Sequence, residues 1–264
     1  GIGVSYDDPL HAPWYTTSKA HNMLVVDDAN LDRKAAAGEN AVWGSLARMD
    51  YFSAEHQGYL KGKGIGHGRQ FVFVKPWESD GYFLVFDTIR PATTNRRVSF
   101  YLHSPTRLQE TPSGYTSSEA PGMVVATPDD VSRRRGSGMA SLGGVSAASY
   151  AEIDWVAFDR STYAGFPEDL AVLLYPFRRL PAPPVSIRRA STDCPPGTSY
   201  LVVESGNITD HLVVSDGRLR SLANGAIQTD ARCALVRQVY GRPATPYAII
   251  GGSRLSFQGR ELFQ

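Results

Sequence analysis

Cysteine is scarce in this chain of 264 residues, and long apolar runs are missing from it. No run approaches the roughly 20 apolar residues that a membrane-spanning helix needs, so we expect no membrane association. The only cysteines are Cys194 and Cys233. Neither has a second Cys or His at ligand spacing, which excludes a zinc knuckle. The pair can form one disulfide or remain two small buried residues, and both alternatives stay open.

An excess of charge of either sign is also missing. The formal net charge is +1, which argues against a nucleic-acid partner or a charged membrane surface. The hydrophobic fraction of 42% and charged fraction of 20% are those of a globular protein with a sizeable core. The chain starts at Gly1 in a loop-like stretch without a leader, so we expect a processed or truncated product.

Short runs rich in Val, Ile, Phe and Tyr, closed by Gly, Pro, Asn or Asp, recur along the chain. They do not alternate regularly with helical segments, which argues against a parallel βαβ fold. We predict an all-β protein, with a large antiparallel β-sandwich of two stacked sheets over residues 1–180. Residues 181–264 are predicted to form a smaller β region that completes or flanks it. The clearest runs are 23–26, 71–74, 82–86, 98–102, 153–158, 170–175, 200–203, 212–214, 234–239 and 247–250.

Four further segments carry weaker predictions. The apolar arms 70–76 and 82–90, with turn residues between them, predict a hairpin. Residues 127–149 are rich in Ser, Gly and Arg and predict an exposed excursion, in which Arg133 to Arg135 are either solvated charges or contacts for an anionic chain. The only candidate helix is 31–37. The glycines of 62–68 resemble a phosphate-binding loop, but no βαβ unit surrounds them, so a hairpin connection is predicted.

The stretch from Tyr6 to Asp28 is the candidate functional segment. It places His11, Trp14, Tyr15, His21 and Asn22 in a proline-interrupted loop that leads into an apolar strand. Aromatic and polar side chains on such loops are typical of sugar-binding sites. Trp14 suits either sugar stacking or anchoring of the loop. His21, at the start of the strand, suits a metal ligand, an acid or base, or a buried histidine bonded to the backbone.

Three motifs in this chain resemble those of one family. Ala20-His21-Asn22, followed by an apolar strand that ends at Asp27, resembles the AHNT-hydrophobic-VD signature of heparinase II/III-like polysaccharide lyases. Residues 67–76 and 82–87 resemble the family's next hairpin, and residues 3–15 resemble the loop before the signature. Met23 stands where the family has Thr. The resemblance covers residues 1–103 well and is weaker beyond them.

The resemblance implies a fold and an activity. Members of the family cleave uronic-acid polymers such as alginate, heparin or heparan sulfate by β-elimination. An α/α-toroid domain supplies most of the catalytic groups, and the β-sandwich closes the cleft. Several members hold a structural zinc that uses the AHN histidine, which is His21 here, with the other ligands expected upstream of Gly1. One histidine alone cannot hold zinc against water, so the site is expected to be incomplete in this chain.

We therefore predict the β-sandwich part of a bacterial, secreted or periplasmic polysaccharide lyase. Its partners are an anionic polysaccharide and a toroid domain, on the same chain or a separate one, without which it is inactive. Elimination at a uronate needs proton removal, neutralisation of the carboxylate by an amide or a cation, and protonation of the leaving oxygen. The alternative is a non-catalytic carbohydrate-binding or structural module.

Residue roles follow from that chemistry. His11 and Tyr15 are the candidate catalytic groups, and Trp14, Asn22 and Arg69 are the candidate substrate-binding groups. Arg69 also suits a structural ion pair. His56 and His103 lie in or beside predicted strands, and we expect them to be ordinary structural residues.

Overall fold

A computed structural model shows an all-β chain in which every strand pair is antiparallel, as predicted. It describes residues 9–35, 37–77, 80–90, 93–141, 150–190, 194, 198–215, 220–222, 226–243 and 245–263. Within these ranges, no helix is both long enough and apolar enough to cross a membrane.

The described residues contain 21 strands and four short helical turns. The strands are β1 (Leu24–Val26), β2 (Glu39–Ser45), β3 (Met49–His56), β4 (Gly66–Val74), β5 (Tyr82–Arg90), β6 (Arg96–Ser104), β7 (Leu108–Thr111), β8 (Gly114–Ser117), β9 (Gly122–Ala126), β10 (Ser132–Ser141), β11 (Tyr150–Thr162), β12 (Glu168–Phe177), β13 (Val185–Arg189), β14 (Ser199–Ser205), β15 (Ile208–Val214), β16 (Arg220–Leu222), β17 (Ile227–Thr229), β18 (Cys233–Val239), β19 (Tyr247–Ile250), β20 (Leu255–Phe257) and β21 (Arg260–Phe263). The turns are a π-helical turn at His11–Tyr15, 3-10 turns at Ser18–Ala20 and Arg33–Ala35, and the α-helical turn α1 at Leu60–Lys63.

These strands form four sheets. Sheet A has the order β1-β6-β11-β10, and sheet B has the order β2-β3-β4-β5-β12-β9-β8-β7. Sheet C has the order β13-β14-β15-β18-β19, and sheet D has the order β16-β17-β20-β21. Sheets A and B contain strands up to residue 177, and sheets C and D contain strands from residue 185 onward. The division into two domains at residue 180 stays a prediction.

Apolar cores between the sheets stack them in the order A, B, C, D. The core between sheets A and B joins residues such as Leu24 and Phe100 to Val85 and Val172. A second core, between sheets B and C, joins Leu84 and Leu173 on one side to Leu212 and Leu235 on the other, and a third joins sheet C to sheet D. The predicted sandwich is therefore confirmed, and its C-terminal part adds two more layers.

Sheet B lies in the middle of this stack, and its central strands are covered on both faces. Alternate residues of β5 and β12 enter opposite cores, so Leu84 and Leu173 contact one core and Val85 and Val172 contact the other. Continuous apolar runs, rather than the alternation of a half-exposed strand, result from this double burial. The predicted hairpin is the pair β4 and β5, which is in register from Gly66↔Arg90 to Val74↔Tyr82.

One buried ion pair lies between sheets B and C. The Arg237 side chain is fully buried, and its Nε and Nη2 atoms donate to Asp210 at 2.7 and 2.6 Å. The Tyr82 hydroxyl also donates to Asp210, at 2.8 Å, and the guanidinium lies 4.2 Å from the Trp77 ring. Burial, together with Asp210, raises the pKa of Tyr82 well above its ordinary value. The pair therefore links the β4–β5 hairpin to the C-terminal sheets.

The predicted excursion at 127–149 is wrong for ten of its residues. Ser132–Ser141 is strand β10, which pairs with β11 along its whole length. Its Ser, Gly and Arg content disfavours a strand, but tertiary contacts override that preference. Arg133 donates to the Thr111 and Pro112 carbonyls at 2.6 and 3.0 Å, so it is not a solvated loop charge. Residues 142–149 lie outside the described residues.

Two further expectations are resolved. The helix predicted at 31–37 is only a 3-10 turn at Arg33–Ala35. The structure does not join Cys194 to Cys233. Cys233 is buried between sheets B and C, with its Sγ atom 3.7 Å from the Met49 Sδ atom.

Candidate functional site

The segment before β1 forms a compact loop on the edge of sheet A, which we call the AHN loop (residues 9–23). The backbone nitrogens of Trp14 and Tyr15 both donate to the Leu10 carbonyl, at 3.1 and 3.0 Å, and close the first turn. Ser18 fixes the second turn. Its backbone nitrogen donates to Asn30 Oδ1 at 2.8 Å, and its hydroxyl accepts from the Leu31 nitrogen at 3.0 Å. The loop is thus held by specific hydrogen bonds.

Trp14 attaches this loop to strand β10. Its indole nitrogen donates to the Met139 carbonyl at 3.0 Å, and its ring covers Gly138. A Cβ atom at residue 138 would lie 2.5 Å from the Trp14 ring, so only glycine fits beneath it. Trp155 covers Gly136 in the same way and donates to the Ser137 carbonyl at 3.1 Å. The two glycines therefore accommodate two tryptophan rings on the outer face of sheet A.

His21 lies half-buried at the end of the loop. Its Nε2 atom is 3.1 Å from the Tyr15 carbonyl, which makes Nε2 the donor and ties the AHN motif to the preceding turn. Burial, and to a smaller degree the charge of Arg33, lowers the pKa of His21. His11 and Tyr15 lie in the same turn, both half-buried, and the Tyr15 hydroxyl oxygen is buried. Three of the predicted site residues are thus brought together.

Asn22 contacts a histidine that the sequence did not assign to the site. The Asn22 Oδ1 atom accepts from the backbone nitrogen of His103 at 2.8 Å and from His103 Nδ1 at 3.0 Å. This pattern assigns the proton of the neutral imidazole to Nδ1. The His103 ring also contacts Trp14 edge-on, at 6.0 Å between ring centres. The one sequence signal for this contact was the alternation of side chains along β6, which places His103 on the outer face of sheet A.

Arg69 joins the AHN loop to a buried carboxylate beneath it. Its Nε and Nη2 atoms donate to Asp87 at 2.7 and 2.8 Å, and its Nη1 atom donates to the Asn22 carbonyl at 3.2 Å. His67 Nε2 donates to the same carboxylate at 2.7 Å. Two of the motifs that resemble the lyase family, the AHN signature and the hairpin, therefore meet around the Arg69–Asp87 pair.

A line of hydrogen bonds leads from this pair to His56. The Gly58 backbone N–H donates to His56 Nδ1 at 3.1 Å, so the His56 proton lies on Nε2 and is donated to His67 Nδ1 at 2.8 Å. Burial alone would raise the pKa of Asp87, but Arg69 and His67 outweigh it and hold that pKa well below its ordinary value. Burial, followed by the charges of His67 and Arg69, lowers the pKa of His56 to about 4.

Stability is expected to fall as the pH drops from about 6.5 to about 5. Burial lowers the pKa of both His56 and His103 to about 4. In this range the unfolded state binds protons that the folded state does not, so acidification favours unfolding, by roughly 1–3 kcal/mol for the two residues together. Urea denaturation at several pH values gives the slope of the unfolding free energy against pH. The variant His56→Gln/His103→Gln should have a flatter slope below pH 6.5 and the wild-type slope above pH 7. Equal slopes below pH 6.5 would contradict the prediction.

The arginines of β10 are used structurally on the outer face of sheet A. Arg134 forms a two-point ion pair with Asp159 and donates to the Tyr101 hydroxyl at 3.2 Å. The same hydroxyl donates to Asp28 at 3.1 Å. These contacts lie beside Trp155 and the AHN loop, and serine- and glycine-rich composition gave no signal for them.

The predicted zinc ligand is not accompanied by others in the described residues. His21 Nε2 is directed at the Tyr15 carbonyl, and no three His, Cys, Asp or Glu side chains within the described ranges converge as metal ligands. The residues present there do not make a zinc site by themselves, so we assign no chemical step to a metal.

Comparison with solved structures shows similar folds in lyases. The heparan sulfate lyase HepC from Pedobacter heparinus has a TM-score of 0.66 and 17% identity, over 81% of this chain and 34% of that one. The heparinase III BT4657 gene product has a TM-score of 0.63 and 14% identity, over 80% of this chain and 33% of that one. This chain thus spans about a third of the length of these relatives. No curated protein matches it at a significant level.

A family model matches on the sequence itself. The model described as "Heparinase II/III-like, C-terminal" matches residues 1–160, a range that includes the AHN loop, the Arg69–Asp87 pair, His103 and most of sheets A and B. Because this range is more than half of the chain, the chain belongs to the heparinase II/III-like family, in the family's C-terminal region.

Proposed function

We propose that this chain is the β-sandwich portion of a lyase that cleaves a uronic-acid-containing polysaccharide by β-elimination. The observation that carries the proposal is the orientation of the Asn22 amide. His103 occupies Asn22 Oδ1 with two hydrogen bonds, while the amide nitrogen has no hydrogen-bond partner in the described part of the chain. Asn22 is exposed. Its N–H groups are therefore presented outward as fixed donors.

A fixed amide donor is what the elimination needs from this side of the cleft. Removal of the proton next to a uronate carboxylate places negative charge on that carboxylate, and a donor already in place stabilises it without reorganisation. Arg69 cannot take this role in the same arrangement, because its guanidinium is directed at Asp87 and the Asn22 carbonyl. In the proposed function, Asn22 binds the carboxylate and Arg69 holds the loop that carries Asn22.

Proton transfer from this chain is proposed for His11 and Tyr15. Both lie in the first turn of the AHN loop, and the Tyr15 carbonyl accepts a hydrogen bond from His21, the residue before Asn22. The Tyr15 hydroxyl oxygen is buried. The kcat values of Tyr15→Phe and His11→Gln therefore separate the two candidates, and the larger loss identifies the group that transfers the proton. Trp14 is placed as the loop's anchor, and its remaining edge is proposed as a wall of the same cleft.

The other wall of the cleft is proposed to be an α/α-toroid domain. Five aromatic side chains lie on the face of sheet B that also carries Arg69 and Asp87, and we call them the aromatic face. They form cross-strand pairs, with Trp43 opposite Phe52, Phe52 opposite Phe71, and Phe73 opposite Phe83. Trp43 is 67% exposed and Phe52 is 37% exposed.

An exposed aromatic face of this kind is characteristic of an interaction surface. Phenylalanine offers no hydrogen bond to a sugar hydroxyl, so a protein surface suits it better than a polysaccharide. This chain matches only about a third of the length of the similar structures. The remaining two-thirds leaves room for such a domain. The face continues directly from Arg69 along β4, which places a domain bound there next to the AHN loop.

Breaking the aromatic face is expected to separate the domains. In the natural protein that contains this chain and its toroid, Trp43→Ser/Phe52→Ser should give two thermal transitions by calorimetry where the wild type gives one. Cleavage activity should fall at the same time. Tyr240→Ser is the matched control, because Tyr240 is 89% exposed at the end of β18. A single transition at the wild-type temperature in the double variant would contradict the proposal.

The substrate is proposed to be a glycosaminoglycan in preference to alginate, because the similar structures are titled heparan sulfate lyase and heparinase III. A polymer of that kind fits a secreted or periplasmic location. The test is the ultraviolet absorbance of the unsaturated uronate product, measured on heparan sulfate, chondroitin sulfate and alginate with the natural protein. The chain alone should release almost none. Binding of these polymers without cleavage by the natural protein would instead support a non-catalytic carbohydrate-binding module.

A further inference from the structure

A polar cleft lies between the ends of sheets B and C, on the face of sheet B opposite to the Asn22 site. Its volume is about 370 Å³, within the range of small-ligand sites. One wall is formed by β3, β4 and β5, and the other by Arg232 and Ser215, which flank strands of sheet C. The cleft thus lies beyond the edge of the core that joins the two sheets.

Gly68 lies on the floor of this cleft, and Gly66 lies two positions before it on the same face of β4. In the strand register Gly68 lies opposite Glu55, and Gly66 lies opposite Arg90. A Cβ atom at Gly68 would touch the Glu55 side chain at 3.5 Å, and one at Gly66 would touch Arg90 at 3.4 Å. Without side chains on β4 at these positions, Glu55 and Arg90 lie across the strand and form an ion pair. The two glycines therefore leave the space above β4 to the Glu55–Arg90 pair.

Arg232 supplies a positive charge that the described residues do not neutralise. It is exposed, and no carboxylate in the described part of the chain lies within ion-pair distance of it. Burial raises the pKa of Tyr51, and a hydrogen bond with Ser53, followed by the charge of Arg232, partly offsets that rise. Arg232 and Tyr51 both line the cleft, so the Arg232 side chain borders the same space as the Tyr51 ring. An anionic group of a ligand is the natural counterpart.

Uncharged polar groups surround that charge. Gln70 accepts a hydrogen bond from the Tyr51 hydroxyl at 3.0 Å through Oε1, which leaves its amide nitrogen as a donor. Ser53 lies opposite Gln70 in the strand register, and Thr88 lies opposite Gly68, on the same face. A set of hydroxyls and an amide around one cation matches a sugar acid, which carries one anionic group and several hydroxyls.

We propose that this cleft binds a short saccharide that carries a carboxylate or sulfate, with the anionic group on Arg232 and ring hydroxyls on Gln70, Ser53 and Thr88. The choice of a saccharide rests on the proposed function, since the products of such a lyase have this chemistry. Arg69 also borders the cleft, but its guanidinium is directed at Asp87 and the Asn22 carbonyl on the other face of sheet B, so the ligand-binding groups are separate from Asn22.

The test is calorimetric titration of the purified chain with a sulfated uronate-containing disaccharide. Arg232→Gln should weaken binding at least tenfold, because it removes a charge-assisted hydrogen bond. Arg260→Gln, which removes the same charge from an exposed position on β21, should leave the affinity unchanged. Thr88→Val should weaken binding by several-fold. Each variant's unfolding curve is recorded to show that it folds.

Three outcomes would overturn the proposal. They are no binding to the wild-type chain at millimolar disaccharide, equal affinity in Arg232→Gln, and equal losses in Arg232→Gln and Arg260→Gln. Inorganic sulfate should bind far more weakly than the disaccharide, and equal affinity would reduce the site to one for simple anions. Asn22→Ala should leave this affinity unchanged. If the natural protein cleaves no polymer while the cleft still binds, the proposed function fails and the cleft stands.

Discussion

Replacement of Asp87 by alanine is expected to lower the free energy of unfolding by about 3–5 kcal/mol. Asp87 is fully buried and accepts two hydrogen bonds from Arg69 and one from His67. Removing the carboxylate leaves the Arg69 charge without its partner in a largely desolvated position, which is more costly than the loss of the contact itself. Urea denaturation measured by circular dichroism gives the value.

The matched control is Asp50→Ala, which breaks a partly exposed ion pair between β3 and Lys75, the residue that follows β4. Ion pairs that solvent can reach contribute about 0–1 kcal/mol, so this variant should unfold almost as the wild type does. The double variant Arg69→Met/Asp87→Leu should recover part of the loss, because it removes both charges together. If Asp87→Ala costs no more than Asp50→Ala, the pair does not hold the hairpin to the AHN loop.

The same carboxylate should show a defined pH dependence. Arg69 and His67 hold the pKa of Asp87 below its ordinary value despite burial, so its contribution is complete above the unfolded pKa near 4. The contribution is lost as the pH falls below that value. The stability contributed by Asp87 is therefore lost at lower pH than the stability contributed by His56 and His103. The two pH-dependent losses can be measured separately.

Replacement of Asn22 by alanine is expected to lower kcat of the natural protein by about 10²–10³-fold. This is the typical cost of removing one fixed donor to a developing negative charge. Asn22→Asp should be more damaging than Asn22→Ala, because a carboxylate repels the uronate carboxylate at the same position. Steady-state rates on heparan sulfate, with the unfolding free energy of each variant, give the comparison.

His103 tests the orientation of Asn22 without touching the substrate. His103→Leu removes the hydrogen bond from Nδ1 to Asn22 Oδ1 and should lower kcat about tenfold. His103→Gln keeps a donor and should recover most of that loss, which a purely structural role would not predict. Asn207→Ala, on an exposed turn, is the control. Wild-type kcat in Asn22→Ala would remove the main support for the role proposed for the loop.

Strand positions were largely predictable, because local apolar runs mark them. The runs at 82–86 and 170–175 lie within β5 and β12, and the predicted hairpin of 70–76 with 82–90 is present as β4 and β5. Strand β10 was missed because Gly136, Gly138 and the arginines carry no strand preference of their own. The strand exists because Trp14 and Trp155 fill the space above the glycines and because Arg133 bonds to carbonyls of sheet B.

Part of the candidate site could also be named in advance. His11, Trp14, Tyr15, His21 and Asn22 were selected from one loop, and the structure places them in one compact unit. Their partners come from distant parts of the chain. His103 is 81 positions from Asn22, and Arg69 is 47 positions from it. No local pattern reports such separations.

The sequence by itself determined the family, the all-β class and the loop that carries Asn22, because these depend on short-range patterns of apolar, turn and motif residues. Tertiary structure decided what those residues do. The four-sheet stack covers β5 and β12 on both faces, so their apolar runs belong to two cores instead of one. Strand pairing brings Arg69 to Asp87 and His103 to Asn22, and it opens the cleft over Gly68. Contacts of this kind depend on chain segments that meet only after the sheets have stacked.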